Sequence, residues 1–412
     1  MTAARPLGAL RLALAPSLRW LIFQLHWMLG ITIGIVLAIM GVTGATMAFE
    51  DQIMEALSRG VIDVAPRAAP VLSPDQVLAR FALQAPGAKP TSITLRSVPG
   101  AAPQVTYRPP KTGPEASAQK RYLDPYDGKI LGQARGETFF ATVRQIHRYL
   151  LLPDEGKGWG RQITGVAAFS LIYFAISGIY LRWPKRALDW KVWLKPNLKL
   201  RKRGLYWSLH SVIGTWAFLV YLTIALTGLT WSYDWYKAGF NRVLTGRDPK
   251  PAASEVQLDK SKPSQAVGAK SAKPKAAPRL DLAWNAARRV TPDVTTMIIT
   301  VPKPGAPIRV RALPGHAAHE RAFDELKIDG KTGAVLSRDA YADMSLGEKI
   351  VSARLAVHRG AFFGLPGAIL FMLAAVTMPL FPITGYLLYF GRRRAKAAAA
   401  ARAPRQQPSP TP

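Results

Sequence analysis

The chain contains no cysteine, which excludes disulfides, thiolate metal sites, iron–sulfur clusters held on Cys and catalytic thiols. Acidic residues are scarce, 25 against 55 Lys and Arg, for a formal net charge of +30, and there are only six histidines. No H-E-x-x-H, G-x-S-x-G, Walker loop or dinucleotide-binding fingerprint occurs, which removes the usual machinery of hydrolytic and nucleotide-driven mechanisms. Redox chemistry here needs a bound cofactor, and NADPH or flavin would have to come from a partner protein.

What is present in quantity is apolar sequence, 49% of the 412 residues, gathered into four runs. A membrane span needs about 20 apolar residues, and the runs at 20–49, 161–183, 205–235 and 366–390 all qualify. The first is too long for a signal peptide and is followed by no small-residue cleavage site before Glu50-Asp51, so it reads as an anchor. Short flanking segments that carry Lys and Arg stay on the cytoplasmic side. These are residues 1–19, the connection 184–204 with Lys185, Arg186, Lys191, Lys195, Lys199, Arg201, Lys202 and Arg203, and the tail 391–412 with Arg392, Arg393, Arg394 and Lys396. Both termini are therefore expected in the cytoplasm and the long inserts 50–160 and 236–365 outside it. Much of the excess positive charge is topological, so its expected neighbour is membrane lipid and not nucleic acid. Residues 246–278, rich in Lys, Ala, Pro and Ser, read as a disordered linker, and residues from Lys396 onward as a tail.

An internal repeat organises the chain. Leu25-His26, Gly30 and Thr43-Gly44 return as Leu209-His210, Gly214 and Thr227-Gly228 at a constant offset of 184 residues. The halves also close alike, with His147-Arg148 and Ser177-Gly178 in one and His358-Arg359 and Thr384-Gly385 in the other. Each insert contains a strand, a turn with Asp and Gly, and a second strand, at 122–131 and 326–336. A helix precedes each hairpin, at 73–84, opened by Ser73 and Pro74, and at 280–290. The expected fold is thus an integral membrane α-helical bundle of four transmembrane helices with two α+β modules outside the membrane. Each module ends in an amphipathic segment bearing His147 or His358.

Four of the six histidines occupy repeated positions in or beside the bilayer, where an ionisable group is expensive and a functional reading is the default. His26 and His210 fall near the cytoplasmic ends of spans one and three; His147 and His358 precede spans two and four. Imidazole is a good axial ligand for haem iron, and facing helices can supply one ring to each side of the macrocycle. The expected pairs are His26 with His210 and His147 with His358, for two haems b. Gly30 and Gly34 line one helix face and leave room for a porphyrin edge; Gly214 repeats the first, whereas Phe218 replaces the second. The same glycines also suit close helix packing. Arg148 and Arg359 are candidates for a haem propionate or for lipid headgroups. The hydroxyls of Thr43, Ser177, Thr227 and Thr384 are expected to bond backbone carbonyls. His316 and His319, three apart, lack a convincing third ligand and read as part of a polar surface loop.

The spans, the four histidines with their Gly and Thr-Gly companions and the Asp-containing hairpins resemble the PepSY-associated transmembrane helix family over about residues 17–394. That family places PepSY-like modules between membrane helices and includes ferric-siderophore reductases. The resemblance implies a bacterial inner-membrane protein with periplasmic inserts and a ferric siderophore as substrate. With the histidine pairs, the expectation becomes a di-haem b oxidoreductase fed by a cytoplasmic or quinol electron donor. A membrane-anchored PepSY binding or protease-regulatory module, in which the histidines are incidental, is the alternative from another class.

Overall fold

The computed structural model describes residues 17–110, 118–154, 157–247, 279–303 and 305–402. The chain forms two compact units, one within Met1–Ala45, Arg144–Tyr233 and Leu370–Pro412, the other within Thr46–Val143 and Asp234–Ile369. The expected linker at 246–278 falls, from residue 248 on, outside the described residues, as do residues 1–16 and 403–412 of the expected terminal segments.

In chain order, α1 (Leu18–Thr32), α2 (Gly34–Thr46) and α3 (Glu50–Leu57) lead to α4 (Pro74–Gln84). Strands β1 (Lys89–Arg96), β2 (Gln104–Arg108), β3 (Gln119–Leu123) and β4 (Ile130–Gly132) precede α5 (Glu137–Tyr149) and α6 (Trp159–Arg182). The second half runs through α7 (Trp190–Leu194), α8 (Arg203–Ser232), α9 (Asp234–Thr245) and α10 (Leu280–Val290). It continues with β5 (Val294–Thr300), β6 (Ile308–Pro314), β7 (Asp324–Ile328) and β8 (Val335–Asp339), then α11 (Leu346–Ser352), α12 (Arg354–Arg359), α13 (Gly364–Thr377) and α14 (Leu380–Arg402).

Among the described residues, three helical stretches are long and apolar enough to cross a membrane, α6, α8 and 361–401, and α1 with α2 makes a fourth if the bent pair is one span. The first expected span is bent, and the last, though it reads as one span, is interrupted in its backbone hydrogen bonding. The first bends by 59° between α1 and α2. The last breaks between α13 and α14 because Pro379 and Pro382 lack N–H groups, which deprives the Ala375 and Met378 carbonyls of their usual donors. Met378 N then donates to Ala375 O at 3.1 Å and Phe381 N to Met378 O at 3.2 Å. The Tyr221 hydroxyl donates to the Ala374 carbonyl at 2.8 Å, so a neighbouring helix satisfies the freed backbone, as a low-dielectric setting requires. Helix α2 passes this break at close range: a Cβ on Gly41 would collide with Met378 Cβ and lie 2.7 Å from Ala375 O. The core of the unit gathers Leu37, Leu171, Val220, Tyr221, Phe371 and Met378 around that crossing. Where a tail was expected from residue 391, α14 continues to Arg402; its alanine-rich end is built of the best helix former.

The other unit carries a single antiparallel sheet of eight strands in the order β4-β3-β2-β1-β5-β6-β7-β8. It is made of the two expected modules, joined where strand β1 pairs with β5, from Ser92 opposite Thr300 to Arg96 opposite Thr296. Helices α4 and α10 pack against one face, burying Val77, Phe81, Leu280 and Ala283 on Ile93, Val105, Ile299 and Val310. They cap one another. Asp75 accepts from the backbone of Leu280 and Asp281 at 2.9 and 3.2 Å, and Asp281 accepts from Asp75 N and the Ser73 hydroxyl, both at 2.9 Å. Each carboxylate thus fills the open N–H groups of the other helix.

The two hairpin turns, which differ in sequence as Asp124-Pro125 and Asp329-Gly330, close identically. Asp124 Oδ1 accepts from Tyr126 N and Asp329 Oδ1 from Lys331 N, each at 2.8 Å. Gly128 and Gly333, both at positive φ (75° and 72°), return their N–H to the carbonyls of Asp124 and Asp329. The left-handed glycine four residues after the aspartate is what the turn requires, so Pro and Gly are interchangeable directly after it.

Candidate cofactor site in the helical unit

Four helices contribute one polar side chain each to a single cluster: His26 from α1, Ser177 from α6, His210 from α8 and Thr384 from α14. His26 Nδ1 lies 2.7 Å from Ser177 Oγ and His210 Nδ1 lies 2.8 Å from Thr384 Oγ1. The direction of these bonds follows from the other bond each hydroxyl makes. Ser177 donates its only proton to the Tyr173 carbonyl at 2.6 Å, and Thr384 donates to Leu380 O at 2.7 Å. A hydroxyl has one proton and two lone pairs, so both oxygens accept from the histidines. Each imidazole therefore carries a proton on Nδ1, which in the neutral ring leaves the lone pair on Nε2.

The two ring centroids lie 6.4 Å apart, with the planes inclined at 59°. A metal–imidazole bond is about 2 Å, and the ring centroid lies about 1.2 Å behind the ligating nitrogen. Two imidazoles on opposite sides of one metal centre therefore hold their centroids roughly 6.3 Å apart. Phe174 packs edge-on against His26 at 5.1 Å and Phe381 against His210 at 5.2 Å. Sequence reasoning missed both phenylalanines. The signal was available, since each stands three residues before the Ser or Thr, in F-A-I-S-G at 174–178 and F-P-I-T-G at 381–385. One helical turn puts ring, hydroxyl and glycine on the same face.

The candidate glycines divide by surroundings. Around Gly30, a Cβ would find nothing within 4 Å, so the helix face one turn after His26 is open. Gly34 instead abuts Pro382, its Cβ position 3.1 Å from that of the proline; here the missing side chain admits α14 and leaves no opening. Gly214 packs against the Phe381 ring at 3.4 Å, behind the ring that flanks His210.

His147, in the last turn of the amphipathic α5, is held by α2 in the same style. Its Nδ1 lies 3.0 Å from the Met40 carbonyl and 3.0 Å from Thr43 Oγ1. A carbonyl only accepts, so Nδ1 bears the proton. Thr43 donates to Ile39 O at 2.7 Å, and the bare face of Gly44 lies against the ring, 3.3 Å from Cε1. This histidine is thus packed on the first apolar segment. His358 belongs to the other unit, in the last turn of α12, which Gly360 ends at φ +79°.

The arginines beside the outer histidines part company. Arg148 is exposed, its guanidinium over the Tyr149 ring at 5.1 Å. Arg359, expected as a partner for a cofactor carboxylate, is committed to the protein's own acids: Glu50 at 2.8 Å and Asp51 at 3.5 Å, with the side chains of Arg359 and Glu50 15% and 8% exposed. Its two terminal nitrogens are thus each turned to an acid of the sheet unit.

His316 and His319 do not converge. His316 is exposed and meets Asp293 at 2.8 Å. His319, expected on the surface, is buried and has both nitrogens in use: Nδ1 accepts from Arg321 N at 3.1 Å and Nε2 donates to the Tyr341 hydroxyl at 2.9 Å. Among the described residues no three His, Asp or Glu side chains come together.

The fold and this cluster define a class, a membrane protein that joins an apolar, histidine-bearing helical unit to a helix-backed antiparallel sheet. Within it, the chain belongs to the PepSY-associated TM region family, whose profile matches residues 23–392. No curated protein matches the chain.

Proposed function

We propose that the chain is a di-haem b reductase of the bacterial inner membrane that carries electrons to a ferric siderophore in the periplasm, releasing iron as Fe(II). The reading includes four spans related by a two-fold sequence repeat, with α1 and α2 as one bent span. It also includes cytoplasmic termini, as the basic segments 184–204 and 391–402 ask. The observation that carries it is the His26–His210 pair: two neutral imidazoles with Nδ1 protonated, Nε2 available, and centroids 6.4 Å apart. Structural histidines spend both nitrogens on the protein, as His319 does.

Haem held by this pair supplies reversible one-electron transfer. The chain's own part is to keep both rings neutral and oriented, to exclude water with Phe174, Phe381 and Tyr173, and to leave an open helix face at Gly30. The second pair, His147 with His358, is proposed on the sequence repeat alone. Two sites at different depths divide a hydrocarbon core about 30 Å thick into shorter transfers. At the substrate, one electron converts ferric to ferrous iron. The softer ion is held less tightly by siderophore oxygens and is released to a competing ligand.

The test is reoxidation. Purified protein reduced with dithionite, freed of excess reductant and mixed with a ferric siderophore, should lose its reduced haem bands as a ferrous chelator in the mixture colours. Stable reduced bands in the presence of several ferric siderophores would sink the substrate assignment, and a colourless protein expressed with ample haem would favour a non-enzymatic binding module.

A further inference from the structure

We infer that Ser177, Thr384 and Thr43 are positioning residues for the cofactor-facing histidines. Their hydroxyls hold His26, His210 and His147 in the Nδ1–H form and aim Nε2, and the repeated stretches at 174–178 and 381–385 are the device that does so for the inner pair. The inference rests on the haem reading above and assigns these hydroxyls a role that the reading does not need.

Ser and Thr in apolar helices commonly bond the carbonyl four residues back, which by itself says nothing of function. Ser170 and Thr223 do so here, to Val166 at 2.9 Å and Leu219 at 2.8 Å, and meet no histidine among the described residues. Ser177, Thr384 and Thr43 make the same backward bond and in addition accept from a histidine Nδ1. The backward bond is what makes the hydroxyl useful. It consumes the hydroxyl proton, leaves lone pairs facing the ring, and so permits one tautomer only. In each case the next residue is glycine. At Gly44 a Cβ would lie 3.3 Å from Cε1 of His147, a tight fit, whereas at Gly178 it would sit at ordinary contact distance, 3.8 Å, from Cε1 of His26, and at Gly385 it would meet nothing within 4 Å. Three residues before the hydroxyl, Phe174 or Phe381 closes on the other side at the inner pair; Met40 supplies its carbonyl at the outer histidine.

Partners of a ligating histidine set its orientation and its basicity. A hydroxyl is a neutral acceptor, weaker than a carboxylate, and gives the imidazole modest electron-donating power. Removing it weakens donation further, so ferric haem is less stabilised and the midpoint potential moves positive.

The experiment uses the full-length protein in detergent, loaded with haem b, and compares wild type with Ser177→Ala, Thr384→Val and Thr43→Val. Expected is a ten- to hundredfold loss of haem affinity at the altered site. A positive shift of one of the two potentials and a changed low-spin electron paramagnetic resonance signal should accompany it. The shift falls on one haem for Ser177→Ala and Thr384→Val and on the other for Thr43→Val, while Ser177→Thr and Thr384→Ser restore wild-type values. Unchanged affinity, potential and spectrum in Ser177→Ala and Thr384→Val would overturn the inference. If either variant fails to fold, the other decides for the inner site. A wild-type protein that takes up no haem refutes the underlying reading instead, and the two failures are thereby distinct.

Discussion

The histidines of the helical unit and those of the sheet unit show how the same side chain is used in two ways. In the sheet unit, His319 is buried with both ring nitrogens satisfied by Arg321 and Tyr341, and its ring packs on Phe362 at 5.2 Å. In the helical unit, His26 and His210 satisfy Nδ1 alone, and among the described residues nothing bonds their Nε2. The same omission at two positions 184 residues apart is what a ligand-facing nitrogen at each would leave. Sequence spacing does not separate the two uses; the second nitrogen does.

The sharpest way to break this comparison is to remove one histidine of each kind. His26→Ala or His210→Ala should cost one of two haems per chain, measured by absorbance per protein, whereas His319→Phe should leave both. Loss of both haems, or of neither, from the first pair would contradict the assignment.

Next in size is Arg359. Arg359→Met leaves Glu50 buried without its guanidinium, and removing one partner of a buried ion pair costs about 3–5 kcal/mol. A denaturant titration of the sheet unit should show the loss at unchanged haem content. The opposite outcome, full stability with a depleted cofactor, would return Arg359 to the haem.

The glycines sharpen the contrast between packing and opening. Gly41→Ala forces Met378 and the Ala375 carbonyl to give way and should destabilise by about 1–3 kcal/mol, the usual cost of overpacking. Gly30→Ala meets open space and should leave the melting temperature alone while perturbing the spectrum of the inner haem. Equal melting temperatures for the two variants would undo the distinction.

The smallest expected effect is a pH slope. Burial holds His319 below the ordinary histidine value, so the unfolded chain binds the proton more readily than the folded one. Stability contributed by the neutral ring is complete above the unfolded value of about 6.5 and falls as pH drops through it. Urea midpoints at pH 8 and pH 5 should differ less in His319→Phe than in wild type, and an undiminished difference would assign the slope elsewhere.

Much of this was legible beforehand. Helices at 74–84 and 280–290, the two hairpins and the amphipathic segment ending at His147 follow from capping residues, turn chemistry and periodicity, all of which are local. What was not legible is non-local. That β1 pairs with β5, making one sheet of two modules, depends on two edges that no local pattern marks as partners. The break at Pro379 and Pro382 was visible as residues, but its rescue by Tyr221 depends on a helix 150 residues away. At the site, the histidines and the Ser/Thr-Gly dipeptides could be found by repetition, whereas the division of the glycines into packing and open positions, and the capture of Arg359 by Glu50, depend on neighbours that only the fold supplies.

The central claim is that two pairs of imidazoles hold two haems, and the most direct measurement is haem content. A pyridine haemochrome assay on full-length protein, expressed with sufficient haem and quantified by amino-acid analysis, should give two haems b per chain with the sharp reduced bands of bis-imidazole ligation. A content of zero would contradict the account, and a single haem that survives replacement of both His26 and His210 would contradict its inner site.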